Sequence, residues 1–164
     1  MIVSMVPFQS ILLPVMEAEP LVDAFRQDGD WSRAHGIPAH ITLAGPWPLS
    51  VELSLNDLSR MAQEMIGQRY ALSAVDVLGD AVCLLPDDDS PLMIWRSRLL
   101  DLAGAHDDID DNWRLHLTIC REHSEPRTDE VETALAGKLP LACVVKGLLI
   151  AQMRSTSRVA VTAL

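Results

Sequence analysis

Two short motifs in the sequence place a threonine two residues after a histidine. They are His40-Ile41-Thr42-Leu43 and His116-Leu117-Thr118-Ile119, and each lies in an apolar segment that predicts a β-strand. Residues i and i+2 of a strand project from the same face, so each motif presents one imidazole and one hydroxyl together. The intervening aliphatic side chains then face the core. If the two strands are neighbours, two imidazoles and two hydroxyls converge on one space.

This set of groups suits acid–base chemistry on a phosphodiester. Two imidazoles with an ordinary pKa of about 6.5 can divide the roles of general base and general acid at neutral pH. Hydroxyl groups can donate hydrogen bonds to the non-bridging oxygens of a phosphate. A single His-x-Thr is more often a structural histidine bonded to its own sheet. Its repetition in matching apolar contexts favours a catalytic pair, and no serine, cysteine or carboxylate arrangement competes with it.

A zinc site is the metal-dependent alternative. It would need His40 and His116 together with a third ligand such as His35 or Cys120. No ligand spacing typical of zinc sites is present, so we expect neither a metal nor another cofactor. The aspartate clusters at 87–89 and 107–111 lack the calcium-loop pattern and are expected to be solvated loops.

Charge and composition limit the partners of the chain. Its 164 residues are 49% hydrophobic and 22% charged, which is typical of a globular protein. The formal net charge is −10, from 13 Lys and Arg against 23 Asp and Glu. That balance argues against a grip on long nucleic acid, which depends on cations that displace phosphate counterions. We expect a single domain over residues 1–164, acting as a monomer.

The cysteines and the apolar segments indicate the compartment. Cys83, Cys120 and Cys143 are widely spaced among apolar residues and are expected to be reduced core residues. The first 16 residues resemble no signal peptide, and no run reaches the roughly 18 apolar residues of a membrane span. These features predict a cytoplasmic protein that does not bind membranes.

Strand and helix patterns alternate along the chain, which predicts a class that mixes α-helices with β-strands, α/β or α+β. The predicted strands cover residues 8–15, 39–44, 70–77, 81–85, 113–120, 141–152 and 158–164, with prolines 46 and 48 ending the second. The predicted helices cover residues 17–27, 54–66, 90–104 and 128–136.

Together these features resemble the two-histidine (2H) phosphoesterase superfamily, in its 2'-5' RNA ligase-like branch. The two His-x-Thr motifs carry the resemblance, and the second continues to Arg121 as the His-x-Thr-x-x-Arg extension common in that branch. The opening strand and helix, with Leu13-Pro14-Val15, and the strand ending at Leu84-Leu85-Pro86 are also similar. One departure is Leu115, where a proline often precedes the second histidine; it concerns entry into the strand more than the chemistry.

The resemblance implies an α+β, bilobal and pseudo-symmetric fold, in which antiparallel sheets flanked by helices surround a central cleft. It also implies a metal-independent cyclic phosphodiesterase that opens 2',3'-cyclic phosphates of nucleotides or RNA ends. One of His40 and His116 would act as base and the other as acid, and Thr42 and Thr118 would hold the phosphate. The same geometry run in reverse, with a 5'-hydroxyl as the nucleophile, gives 2'-5' RNA ligation.

Three further residues are candidates for substrate binding. Arg121 could contact a phosphate or ribose at the rim of the cleft, and Phe8 and Trp47 could stack on a base. Because the chain is acidic, a small cyclic nucleotide or a short RNA end is the expected substrate. The alternative from another class is a nucleotide-binding module that keeps the cleft without turnover.

Overall fold

The sheet and its helices follow the alternation expected from the sequence. The computed structural model describes residues 6–26, 30–105, 113–121, 127–155 and 158–164. The strands are β1 (Phe8–Pro14), β2 (His40–Pro48), β3 (Arg69–Leu78), β4 (Ala81–Pro86), β5 (Leu117–Arg121), β6 (Leu141–Val144), β7 (Leu149–Ser155) and β8 (Arg158–Ala163). The helices are α1 (Glu19–Val22), α2 (Trp31–Ala34), α3 (Leu55–Met65), α4 (Ser90–Ala103) and α5 (Thr128–Leu135).

The eight strands form one antiparallel sheet in the order β6-β3-β4-β5-β2-β1-β7-β8. This confirms the α+β class. The two motif strands, β2 and β5, are neighbours at the centre, where Ile41 pairs with Leu117. The sheet can therefore be divided into two four-stranded halves, with β2 and β5 as their adjoining strands. The N-terminal ends of these two strands lie side by side.

The apolar residues of the motifs lie in the main core, as the strand period predicts. Ile41, Leu43 and Leu117 are each 0% exposed, and Ile119 is 1% exposed. Burial of such a side chain contributes roughly 1.5 to 3 kcal/mol. A register slip of one residue would move all of them to the opposite face and bring the His and Thr side chains into the core. The core therefore fixes which face presents the histidines.

The first predicted helix is wrong in length. The pattern predicts a helix over residues 17–27, but in the part of this range that the structure describes, which ends at Arg26, regular helix is limited to the four residues of α1. The chain continues from it in tighter turns, in which the Phe25 N–H donates to the carbonyl of Val22, three residues earlier. The short helix α2 was not predicted; Asp30 caps it by accepting hydrogen bonds from the N–H groups of Ser32 and Arg33.

Strand β2 continues past Pro46 and ends at Pro48, the second of the two prolines that were expected to end it. Its pairing with β1 is irregular near Gln9, where the register shifts. The Gln9 side chain donates hydrogen bonds to the carbonyls of Pro48 and Val51 and so helps to hold this end of the strand.

The predicted strand over 141–152 is two strands, since β6 ends at Val144 and β7 begins at Leu149. The predicted strand over 113–120 begins only at Leu117, so His116 directly precedes it.

Gly45 is a position where the fold requires glycine. Its φ is +93°, and a Cβ there would lie 2.7 Å from the carbonyl oxygen of Gln9. We expect Gly45→Ala to lower the free energy of unfolding by roughly 2 to 4 kcal/mol, from backbone strain and the clash together. Gly67→Ala is the matched control, because Gly67 has a φ of +88° and no atom within 4 Å of the added Cβ. Equal losses for the two variants in urea denaturation would contradict the clash.

Two further expectations concern loops and membranes. Residues 87–89 precede α4 as an irregular segment, whereas the cluster at 107–111 lies outside the described residues. Among the helices in the described ranges, none has both the length and the apolar composition needed to cross a membrane.

Candidate active site

The four motif residues line a single cavity between the two halves of the sheet. His40 and Thr42 enter it from β2, and His116 and Thr118 enter it from β5 and the residue before it. The cavity, called the cleft below, has a volume of about 340 Å³. Its other lining residues are Phe25, Arg26, Asp30, Trp31, Ser32, Gly45, Pro46, Trp113, Ile119, Cys120 and Arg121. The structure thus brings together the groups that the sequence pattern paired.

The two imidazoles are anchored in the same way. Nδ1 of His40 lies 2.8 Å from the carbonyl oxygen of Pro38, and Nδ1 of His116 lies 2.8 Å from that of Arg114. A carbonyl oxygen only accepts, so Nδ1 donates in both rings and carries the proton of the neutral tautomer. Nε2 is then the nitrogen of each ring that can exchange a proton with a ligand in the cleft. The repeated geometry is a local twofold similarity between the motifs.

His40 has charged neighbours on its side of the cleft. Burial lowers its pKa below the usual range for histidine, and the nearby Arg26 guanidinium acts in the same direction. The hydrogen bond to Pro38 and the carboxylates of Asp30 and Glu19 offset part of that effect. His40 is therefore neutral near pH 7, which is the form able to accept a proton.

A buried cysteine lies beside the second threonine. Cys83 on β4 is the register partner of Thr118 on β5. Burial raises the pKa of the Cys83 thiol to about 11, and a hydrogen bond with Thr118 offsets this in part. The thiol is protonated at neutral pH and is not a nucleophile there. Cys83, Cys120 and Cys143 are all buried thiols, as the sequence predicts.

The three residues predicted to bind substrate lie in different surroundings, and only one of them lines the cleft. Arg121 lines the cleft and forms an ion pair with Asp80. Phe8 does not line it; its ring packs edge-on against Trp31 with centroids 6.4 Å apart, and Trp31 is the residue that lines the cleft. Trp47 is 2% exposed and belongs to the hydrophobic core. The expectation that Trp47 stacks on a base is not met, because its ring faces are covered by packing.

Sequence reasoning missed several lining residues, among them Trp31, Trp113 and Arg26. Trp31 is 43% exposed at the start of α2, directly after the Asp30 cap. An aspartate immediately before an apolar residue is a helix-start signal that could have placed this tryptophan. Arg26 is buried at the cleft wall, and its spacing in the sequence carried no signal of that position.

A zinc site would need a third ligand beside the two motif histidines. Within the parts of the chain that the structure describes, no three His, Cys, Asp or Glu side chains are close enough to hold a metal ion. His35, one candidate for that ligand, instead directs its Nδ1 to the carbonyl oxygen of Trp31 at 2.7 Å.

Comparison with known families identifies the chain. The sequence model of the 2'-5' RNA ligase superfamily matches residues 14–156, a range that includes both His-x-Thr motifs and most of the sheet. The chain belongs to this superfamily. Its resemblance to the 2H phosphoesterases, first drawn from the motifs, is thereby confirmed. Among proteins of curated function, none matches the chain in sequence.

Solved structures show the superfamily fold over 96% of the chain. Escherichia coli LigT complexed with 3'-AMP has a TM-score of 0.58 and 17% identity, with 96% of this chain and 95% of that chain covered. The same protein complexed with ATP has a TM-score of 0.58 and 16% identity, with 96% of this chain and 95% of that chain covered. TT0787 of Thermus thermophilus has a TM-score of 0.58 and 15% identity, with 96% of this chain and 94% of that chain covered. At such identities the likeness concerns the fold of this 2'-5' RNA ligase superfamily member, and its chemistry must be argued from its own residues.

Proposed function

We propose that the protein is a metal-independent phosphodiesterase that hydrolyses 2',3'-cyclic phosphates of nucleotides or short RNA ends. The observation that supports this most strongly is the anchoring of His40 and His116 through Nδ1 on one cleft, with a threonine beside each. Simple binding of a nucleotide does not require two titratable groups held with the same nitrogen available.

The proposed reaction uses one imidazole as base and the other as acid. Nε2 of the neutral imidazole takes a proton from water as the water oxygen attacks phosphorus. The bond from phosphorus to one ribose oxygen breaks, and the protonated imidazole donates its Nε2 proton to that oxygen. The product is a phosphomonoester beside a free ribose hydroxyl. Because burial lowers the pKa of His40, its imidazole is unprotonated near pH 7, and we assign it the role of base.

The two threonines have an electrostatic role in this mechanism. Hydroxyls of Thr42 and Thr118 line the same cleft as the imidazoles, where they can donate to the non-bridging phosphate oxygens. Such donors stabilise the charge that concentrates on those oxygens in the transition state. With the 5'-hydroxyl of a second RNA end in place of water, the same attack on phosphorus breaks its bond to the ribose 3'-oxygen and leaves a 2'-5' linkage, and we include this ligation as a further capacity.

Charges around the cleft favour a small substrate. The Arg26 side chain is bonded to Glu19 and Asp30, and Arg121 is paired with Asp80. With a formal net charge of −10, the chain offers little attraction to a long polyanion. LigT has been crystallised in complex with 3'-AMP and with ATP, which are nucleotides of the size proposed here.

The test is an assay of the purified protein on cyclic phosphates of increasing size in the presence of EDTA. We expect 2',3'-cyclic AMP to be converted to a phosphomonoester with a bell-shaped pH dependence set by two imidazoles. Activity lost on chelation and restored by zinc would contradict the metal-independent mechanism. Saturable calorimetric binding of 2'-AMP or 3'-AMP without any product would instead identify a nucleotide-binding module.

Three properties of the whole molecule accompany this proposal. We propose that residues 1–164 form one bilobal domain, supported by the sheet that joins both motif strands. The buried cysteine thiols support a cytoplasmic location. That the protein acts as a monomer stays a prediction, to be measured by sedimentation at several concentrations.

A further inference from the structure

Arg26 is a buried cation at the cleft wall with a dense set of partners. Its side chain is 1% exposed. Nε donates to Asp30 at 2.7 Å, and Nη1 is 3.2 Å from the nearer carboxylate oxygen of Glu19. Nη2 donates to the hydroxyl of Ser32 at 3.0 Å and to the carbonyl oxygen of Ile37 at 2.9 Å. The guanidinium thus joins α1, the cap of α2 and the segment that leads into β2.

Arg26 and Glu19 hold the backbone on both sides of Pro38. Arg26 binds the carbonyl of Ile37, and the Glu19 carboxylate accepts a hydrogen bond from the Ala39 N–H. The carbonyl of Pro38 lies between these two fixed points and accepts from Nδ1 of His40. The orientation of the imidazole therefore depends on a peptide segment that this ion pair restrains.

The bonding of Arg26 argues against a direct role in binding phosphate. Four of its five N–H groups are used by the partners named above, and its side chain is almost fully buried. Its charge is opposed by two carboxylates, those of Glu19 and Asp30. A buried arginine whose N–H groups are already hydrogen-bonded in this way affects the site by positioning the residues that it contacts.

We propose that Arg26 and Glu19 are positioning residues that restrain the segment Ile37–His40 and thereby fix His40 in the tautomer that presents an unprotonated Nε2 to the cleft. The effect on turnover rests on the proposed function, whereas the tautomer is a property of the folded chain itself. His116 has the same Nδ1 anchor, on the carbonyl of Arg114, but this ion cluster lies on the His40 side of the cleft.

The charges around His40 allow geometry and electrostatics to be separated. Arg26, Asp30 and Glu19 act on it from one side, and His116 lines the cleft across from it. Arg26→Lys keeps the positive charge but replaces the planar fork with a point charge, so the restraint on Ile37 is lost. Glu19→Gln removes a negative charge, while its amide oxygen can still accept from Ala39. The first variant alters the geometry and the second alters the charge.

Nitrogen-15 NMR of the imidazoles tests the proposal without depending on activity. In the unmodified protein we expect neutral His40 to carry its proton on Nδ1. Arg26→Lys should mix the two tautomers, whereas Glu19→Gln should keep the tautomer and lower the pKa of His40. Arg33→Lys is the matched control, because Arg33 pairs with Asp23 in the same region at 39% side-chain exposure and should change neither property.

Turnover of 2',3'-cyclic AMP adds a second readout. Arg26→Lys should lower kcat roughly 10- to 100-fold with little change in KM, as expected when a supporting residue no longer orients a catalytic group. An unchanged tautomer in Arg26→Lys, or a loss confined to KM, would overturn the positioning role. Should Arg26→Lys fail to fold, Glu19→Ala, which removes the acceptor of the Ala39 N–H, should mix the tautomers, and an unchanged tautomer there would overturn the role instead. If the unmodified protein turns over no cyclic phosphate, the proposed function fails while the NMR result still decides this inference.

Discussion

Replacing His116 with alanine is expected to lower kcat for 2',3'-cyclic AMP roughly 10²- to 10⁴-fold, and His40→Ala is expected to do the same. Each change removes one of the two groups that transfer protons in the proposed step. The Nδ1 anchors on Pro38 and Arg114 lie in the backbone, so the rest of the cleft is left in place. The measurement is single-turnover hydrolysis at the pH optimum of the unmodified protein.

The pH profile distinguishes the two variants. With His40 removed, the limb of the bell that reports the base should disappear; with His116 removed, the limb that reports the acid should disappear. Because the pKa of His40 is lowered, the base limb should lie below the usual histidine range. His35→Gln is the control, since His35 bonds to the carbonyl of Trp31 and does not line the cleft. Full turnover in either alanine variant would refute its assigned role.

The double variant tests whether the histidines act as a unit. Acid and base contribute to the same transition state, so losing both should cost little more than losing the worse of the two singly. Losses that multiply would instead mean that the two imidazoles contribute independently to the transition state.

The face on which the motif residues lie was predictable because successive side chains of a strand point to opposite sides, one toward the core and the next toward the cleft. Ile41 and Leu117 had to be buried, and they form the register pair that joins β2 to β5. Once they face the core, His40 and Thr42 must project from the other side of the strand. The family resemblance supplied the remaining step, that the two strands are neighbours.

The binding residues were predicted less well, because an aromatic residue near a motif can face either side of the sheet. Trp47 lies five residues after Thr42, and this odd separation places it on the opposite, core-facing side of β2. The expectation that prolines 46 and 48 end the strand kept the alternation from being applied to it. It packs in the core, while Trp31, from a short helix that was not predicted, lines the cleft. The position of Arg26 depends on contacts with Glu19, Asp30 and Ile37 that form only in the folded chain.

Replacing a motif threonine is expected to produce the second large loss of activity at this site. Thr118→Val should lower kcat/KM roughly 10²- to 10³-fold, the loss found when a single donor to a developing negative charge is removed. Valine has nearly the same shape and β-branching as threonine, so β5 should be kept. Thr118→Ser retains the hydroxyl and is expected to recover most of the activity.

The same comparison at Thr42 tests whether the two halves of the cleft contribute alike. Thr42 precedes Leu43, whose carbonyl accepts a hydrogen bond at 2.8 Å from the buried Arg96, so this part of β2 is held from behind. Thr42→Val should therefore change the donor and leave the strand in place, with a loss similar to that of Thr118→Val. If both valine variants lost stability in thermal denaturation but kept kcat, the hydroxyls would serve the sheet and not the phosphate. A loss in kcat that serine restores at both positions would instead mean that the phosphate is bound between the two motifs, as acid–base catalysis by His40 and His116 requires.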